Sequence, residues 1–220
     1  MGAGRQGEMM MLEHGLNIFQ MTAAAACMAI AAAQAVRRRS RLWMLYAMFA
    51  GTYFLGDLWW TLYLHFYGSS APDSFIPYMS WDAAMLFLLV ISMQYSIDPD
   101  LSGRVKWTTA VVTAVFVTVM ALVFMQYGAY FNNTVTAVLM GLLIWNAWIR
   151  LMGRSGEDAE KEKRAVCGVV MLYCFVEYGE WLASCLDYDS PLRNLYFVFD
   201  FLLTVSIALL IPALGKAGER

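Results

Sequence analysis

The chain has 220 residues, a formal net charge of −2, an apolar content of 60% and a charged content of only 15%. Soluble domains are typically 45–50% apolar and about 25% charged, so this composition argues against an ordinary soluble domain and favours an integral membrane protein. The net charge carries little information, because in a membrane protein the placement of charge matters more than its sum. No segment resembles a phosphate-binding loop, a nucleophile elbow or a nucleic-acid module, so nucleic acid is not expected as a partner.

Seven apolar segments are long enough to cross a hydrocarbon core of about 30 Å, which takes roughly 20 helical residues. They lie near residues 10–36, 42–67, 75–97, 107–128, 130–152, 165–187 and 191–214. The breaks between them are short and polar, and the tightest falls at 127–130, which places Asn132 and Asn133 at the outer surface. The sequence therefore predicts an all-α polytopic membrane protein with one membrane domain over 1–220.

The basic residues fix an orientation for these spans. If the N-terminus lies outside, every Lys and Arg except Arg5 and Arg193 falls on the cytoplasmic side. Under the positive-inside rule this distribution predicts an N-out, C-in topology. We expect a multi-pass protein of a cell membrane, of a bacterial type in the inner or cytoplasmic membrane.

The second and sixth spans share a short pattern. Gly56-Asp57 is followed by Trp59, and Gly179-Glu180 is followed directly by Trp181. Both patterns lie in spans that run from the inside to the outside. Such self-similarity indicates an internal repeat.

The spans that follow these two also match, because each carries a single aspartate after an aromatic residue, at Asp82 and at Asp200. This predicts two parallel three-helix repeats, with halves 10–97 and 130–214, joined by the fourth span. Two three-helix units can have the same orientation only if one extra crossing separates them, and the fourth span provides it. Residues 107–126 of this span contain no ionisable residue, which fits a linker. Chance recurrence of Gly, Trp and acidic residues is the alternative.

This three-plus-one-plus-three pattern resembles the architecture of SWEET and PQ-loop transporters and of microbial rhodopsins. The resemblance to SWEET transporters implies a substrate site between the two bundles, at Trp59 or Trp60, Asp82, Trp181 and Asp200. The Pro-Gln signature is absent, since Gln34 has no proline beside it. A retinal-binding lysine is also absent, because Thr204 occupies its place.

Residues 55–57 (Leu-Gly-Asp) are also similar to a motif of bacterial lysoplasmalogenase-like membrane proteins, but no histidine follows at a matching place.

Five acidic residues fall at similar depth in four spans. At 1.5 Å per helical residue, Asp57, Asp82 and Glu180 lie roughly 10 Å below the outer surface, and Glu177 and Asp200 about 14–15 Å below it. Carboxylates at this depth cannot all be ionised in a dry core. They must be protonated, hydrated or matched by a cation, and the only nearby base in the sequence is Arg193.

Three functions fit such a layer. The first is a proton-coupled small-solute transporter that favours a cationic or polar substrate, in which tryptophans supply cation–π contacts. The second is a membrane sensor or a subunit of a larger membrane complex. The third is an intramembrane hydrolase or a metal site. Glu177 and Glu180 lack histidine partners for such a site, because His14 and His65 are the only histidines in the sequence and both are expected at the membrane interface. The candidate substrate- and proton-binding residues are Asp57, Trp60, Asp82, Glu177, Glu180, Trp181 and Asp200.

A purely structural interpretation of these residues stays open. Trp and Tyr near the outer ends are expected of an interfacial belt, and buried carboxyls can serve interhelical hydrogen bonds. The four cysteines, Cys27, Cys167, Cys174 and Cys185, have no metal-ligand spacing and indicate packing residues. We expect no cofactor and no metal, and as partners the lipid bilayer, a small molecule or protons, and a homo-oligomer or membrane complex.

Overall fold

A computed structural model describes residues 3–67, 75–94, 101–152, 158–186 and 194–217, and every regular element in these ranges is an α-helix. The helices in chain order are α1 (Ala3–Arg38), α2 (Arg41–Tyr67), α3 (Phe75–Met93), α4 (Gly103–Met125), α5 (Tyr130–Met152), α6 (Asp158–Ser184) and α7 (Leu195–Ala217).

Six of these helices are long and apolar enough to cross a membrane, namely α1 from Met11 onward and α3 to α7. The remaining helix, α2, has 27 residues but a lower hydropathy, because Trp, Tyr and Asp57 occupy its second half. The predicted all-helical, multi-pass membrane protein is confirmed at this level. Helix α6 begins at Asp158, within the segment predicted as a loop, because the Glu- and Lys-rich residues that precede its apolar part are good helix formers.

The helices pack in a closed ring of six. Following the ring, α1 packs on α2, α2 on α3, α3 on α5, α5 on α6, α6 on α7, and α7 returns to α1. Helix α4 lies outside the ring along α5. Its Phe116 and Phe124 contact the Tyr178 ring of α6 at centroid distances of 5.7 and 6.1 Å, so α4 packs on α6 as well as on α5.

The half of the ring nearer the basic turn at 37–41 is filled by side chains. Phe49 of α2 meets Tyr173 of α6 edge-on at 5.8 Å, and both are fully buried. The Tyr46 hydroxyl donates to the Ile207 carbonyl at 2.7 Å, which ties α2 to α7 across the ring. The bundle is therefore closed at this end.

Two glycines let neighbouring helices approach closely. A Cβ at Gly56 would overlap the Trp81 indole of α3, and a Cβ at Gly179 would overlap the Phe199 ring of α7. The α2–α3 and α6–α7 pairs are thus packed through the same combination of a glycine and an aromatic ring.

The turn between α4 and α5 differs from expectation at its asparagines. We expected Asn132 and Asn133 at the outer surface, but both side chains are buried. The Asn133 amide donates to the carbonyls of Gly128 at 2.7 Å and Phe124 at 3.2 Å. Carbonyls at a helix C-terminus have no intrahelical donor, so Asn133 is drawn inward to cap α4.

The cysteines agree with the packing interpretation. Cys27, Cys167 and Cys174 are buried, Cys185 is half-buried, and all four are free thiols.

Candidate functional site

A cavity of about 280 Å³ lies in the other half of the ring, next to the α4–α5 turn. Residues of all seven helices line it, with Phe124 the residue from α4 and Asn133 the residue from α5, and Tyr127, Gly128 and Ala129 of the α4–α5 turn also contribute. Its volume is just below the range of about 300–1,000 Å³ that is typical of ligand pockets. The cavity is therefore suited to a small solute.

Three of the predicted acidic residues face this cavity, namely Asp57 of α2 and Glu177 and Glu180 of α6. Asp57 and Glu177 are buried, and Glu180 is half-buried. No Lys, Arg or His is among the cavity-lining residues within the part of the chain that the structure describes. Arg193, the base predicted near this layer, lies outside the described residues. The cavity thus brings carboxyl groups together without a described basic partner.

Two tryptophans are held by these carboxyl groups. The Trp81 indole N–H donates to Asp57 Oδ1 at 3.0 Å, across the α2–α3 contact. The Trp181 indole N–H donates to Glu177 Oε1 at 3.1 Å, within α6. Each acid therefore fixes the orientation of one indole ring. The second Asp57 oxygen, Oδ2, is buried and has no hydrogen-bond partner among the described residues.

The aromatic rings beside the acids form one continuous surface. Trp60 lies 6.4 Å from Trp81, Tyr78 lies 5.8 Å from Trp81, and Tyr78 lies 6.2 Å from Trp181, measured between ring centroids. We call Trp60, Tyr78, Trp81 and Trp181 the aromatic wall. Such rings attract cations through their π faces, so the wall and the acids favour the same kind of ligand.

Helix α1 contributes two amides that the sequence analysis did not single out. Asn17 and Gln20 line the cavity and are 5% and 6% exposed. The Asn17 Nδ2 and Gln20 Nε2 atoms are buried and have no hydrogen-bond partner among the described residues. Their i, i+3 spacing places both on one helix face. Two amides on one face of an otherwise Ala-rich span are the sequence signal that could have identified them.

The other two predicted acids, Asp82 and Asp200, do not line the cavity. Asp82 is buried and accepts a hydrogen bond from the Thr136 hydroxyl of α5 at 2.7 Å. Asp200 is 2% exposed, and its Oδ1 atom is buried without a hydrogen-bond partner among the described residues. Of the five acidic residues in the predicted layer, three therefore line the cavity and two are buried elsewhere in the bundle.

Four tyrosines, Tyr53, Tyr78, Tyr127 and Tyr196, also line the cavity. The positions of Tyr78 and Tyr196 near the outer ends of their spans had suggested an interfacial belt. Tyr78 and Tyr196 each lie four residues before the aspartate of their helix, at Asp82 and Asp200. This shared spacing is the sequence signal that could have identified them.

Among the residues that the structure describes, no group of three or more His, Cys, Asp and Glu side chains has an arrangement that could hold a metal ion. A search of protein-family models, of curated proteins and of solved structures gives no match to this chain.

The hydrogen bond from Trp81 to Asp57 gives a first testable prediction. Trp81→Phe keeps an aromatic ring but leaves the buried Asp57 carboxyl without its donor, which typically costs about 1–3 kcal/mol. We expect a lower thermal unfolding midpoint in detergent at neutral pH. Trp59→Phe is the matched control, because Trp59 stacks on Tyr63 at 5.2 Å and lies away from the cavity. An equal effect of both substitutions would contradict the assigned role of the indole N–H.

Proposed function

We propose that this chain is a small-solute membrane transporter, proton-coupled, whose cavity binds a cationic or polar substrate. The single observation that carries the proposal is the cavity itself. It holds three carboxyl groups and an aromatic wall, and its described lining residues include no basic side chain.

The order of helices in the ring supports the repeat that a transporter of this kind would use. Exchanging α1, α2 and α3 with α5, α6 and α7, respectively, converts the α1–α2 and α2–α3 contacts into α5–α6 and α6–α7. The same exchange converts the α3–α5 contact into α7–α1, which closes the ring. We therefore propose that α1–α3 and α5–α7 are parallel three-helix repeats and that α4 is the linker between them.

Residues inside the two proposed halves support the same relationship. Gly56 packs on Trp81 in the first half as Gly179 packs on Phe199 in the second. The cavity is lined from both halves, and transporters built from repeats bind substrate where their repeats meet. Rocking of one half against the other would expose such a site alternately to the two sides.

The chemistry of the cavity favours a cation. A buried carboxylate is costly unless it is paired, and a protonated amine or a proton supplies the missing positive charge. Binding of either one therefore relieves the same cost, which provides a physical route to competition and coupling between substrate and protons. The N-out topology would make the cavity face the outside, with the packed half of the ring closing the cytoplasmic side.

The experiment that tests the proposal is uptake by proteoliposomes. Radiolabelled amines, amino acids and sugars are offered under an imposed proton gradient, with protein-free liposomes as the blank. We expect at least one cationic solute to accumulate, and its accumulation to fall when the gradient is collapsed. If no solute moves although one of them raises the thermal unfolding midpoint, the chain is a sensor or a subunit of a membrane complex.

A further inference from the structure

We infer that the cavity selects small primary amines that also carry a hydrogen-bond acceptor, because the Asn17 and Gln20 amides supply donors that a simple alkylamine leaves unused. This inference deepens the proposed function and rests on the cavity being a cation site. It assigns the substrate class to amino alcohols, amino ethers and similar molecules with an ammonium group and an oxygen.

The two sets of polar groups in the cavity have opposite hydrogen-bonding character. Ionised carboxyl groups only accept hydrogen bonds, whereas an amide NH₂ group only donates. The acids lie on α2 and α6, and the amides lie on α1. A ligand that satisfies both sets must therefore carry donors and an acceptor on different atoms.

The cost of leaving the amides unsatisfied determines the selectivity. Asn17 and Gln20 are more than nine-tenths buried, and their nitrogen atoms have no partner in the described structure. A ligand that excludes water from the cavity without offering an acceptor leaves these N–H donors without a hydrogen bond. One buried donor left without an acceptor weakens binding by roughly tenfold.

Two amines of similar shape distinguish selectivity for a hydrogen-bond acceptor from the binding of a cation in general. 2-Methoxyethylamine and n-butylamine have the same chain length and the same ammonium group, and they differ only in an ether oxygen that replaces one methylene. Both are added as hydrochloride salts at pH 7 to the full chain in detergent. Binding is followed by tryptophan fluorescence, since three of the residues in the aromatic wall are tryptophans, and by thermal unfolding.

We expect 2-methoxyethylamine to bind about tenfold more tightly than n-butylamine. Asn17→Leu and Gln20→Leu replace an amide with an apolar group of similar size, and each should reduce the ratio of the two affinities. Glu180→Gln should weaken both amines. The comparison of the two amines on the wild-type chain requires no substitution, so it can be made even if a variant fails to fold.

The remaining outcomes overturn different statements. Equal binding of the two amines contradicts the inference but leaves the cation site in place. A preference that persists in both leucine variants contradicts the assignment to Asn17 and Gln20. Failure of both amines to bind overturns the cation site itself, and the inference with it.

Discussion

Glu180→Gln and Asp57→Asn are expected to reduce solute uptake in proteoliposomes by at least about tenfold, to the level of protein-free liposomes. Truncating one partner of a buried charge pair typically costs about 2–5 kcal/mol, and each 1.4 kcal/mol is about tenfold in affinity. Both substitutions keep the size and polarity of the side chain. They remove the negative charge and the titrating proton that the proposed mechanism needs.

Thermal stability separates this loss of function from misfolding. Asp57 Oδ2 and Glu180 Oε2 are buried and lack a hydrogen-bond partner among the described residues. A neutral amide at such a site costs less to bury than a carboxylate. We therefore expect both variants to unfold at the wild-type temperature or above it. Unfolding of either variant at neutral pH would instead mean that its carboxylate is ionised and structurally paired.

Glu162→Gln is the matched control for Glu180→Gln. Glu162 lies on the same helix but, at 1.5 Å per residue, roughly 27 Å along α6 from Glu180 and toward the opposite end of the bundle. It does not line the cavity. The same chemical change at Glu162 should therefore leave uptake unchanged, and a comparable loss there would show that the effect is not specific to the cavity.

Gly179→Ala is expected to lower the thermal unfolding midpoint strongly, because the added methyl group would overlap the Phe199 ring. Overpacking of this kind typically costs about 1–3 kcal/mol. Gly168→Ala, on the same helix, is the control, since the added Cβ would have no atom within 4 Å apart from its chain neighbours and the adjacent backbone of α6. Alanine favours a helix over glycine by about 0.5–1 kcal/mol, so this control should be neutral or slightly stabilising.

A second substitution tests whether the loss arises at the α6–α7 contact. Phe199→Leu removes part of the ring that Gly179→Ala would meet, so the double variant should be more stable than the sum of the two single effects predicts. Strict additivity, or equal effects of the Gly179 and Gly168 substitutions, would contradict the close approach of these helices.

The sequence was sufficient to predict the helices because their apolar length is a direct consequence of the bilayer. It was also sufficient to place Asp57, Glu177 and Glu180 at one level, since helical rise converts residue number into depth. What it could not supply is the order of the helices in the ring. That order is set by packing between distant segments, as in the contact of Asp82 with Thr136.

The same limitation explains the residues that sequence analysis missed. Tyr78 and Tyr196 resemble interfacial residues in any chain, and only the ring turns them toward a shared cavity. Asn17 and Gln20 are weak signals in an Ala-rich span, and they become informative once their amides are seen to lack partners. Asn133 moved inward for a local reason, the capping of α4, which composition alone does not reveal.

The central claim is that the cavity carries a cationic solute across the bilayer, and solute counterflow tests it most directly. Proteoliposomes are loaded with excess unlabelled 2-methoxyethylamine and diluted, at equal pH inside and outside, into a trace of the labelled amine. We predict a transient accumulation of label above its equilibrium level in the wild type and none with Glu180→Gln. Label that only equilibrates, at the same rate as in protein-free liposomes, would contradict the claim.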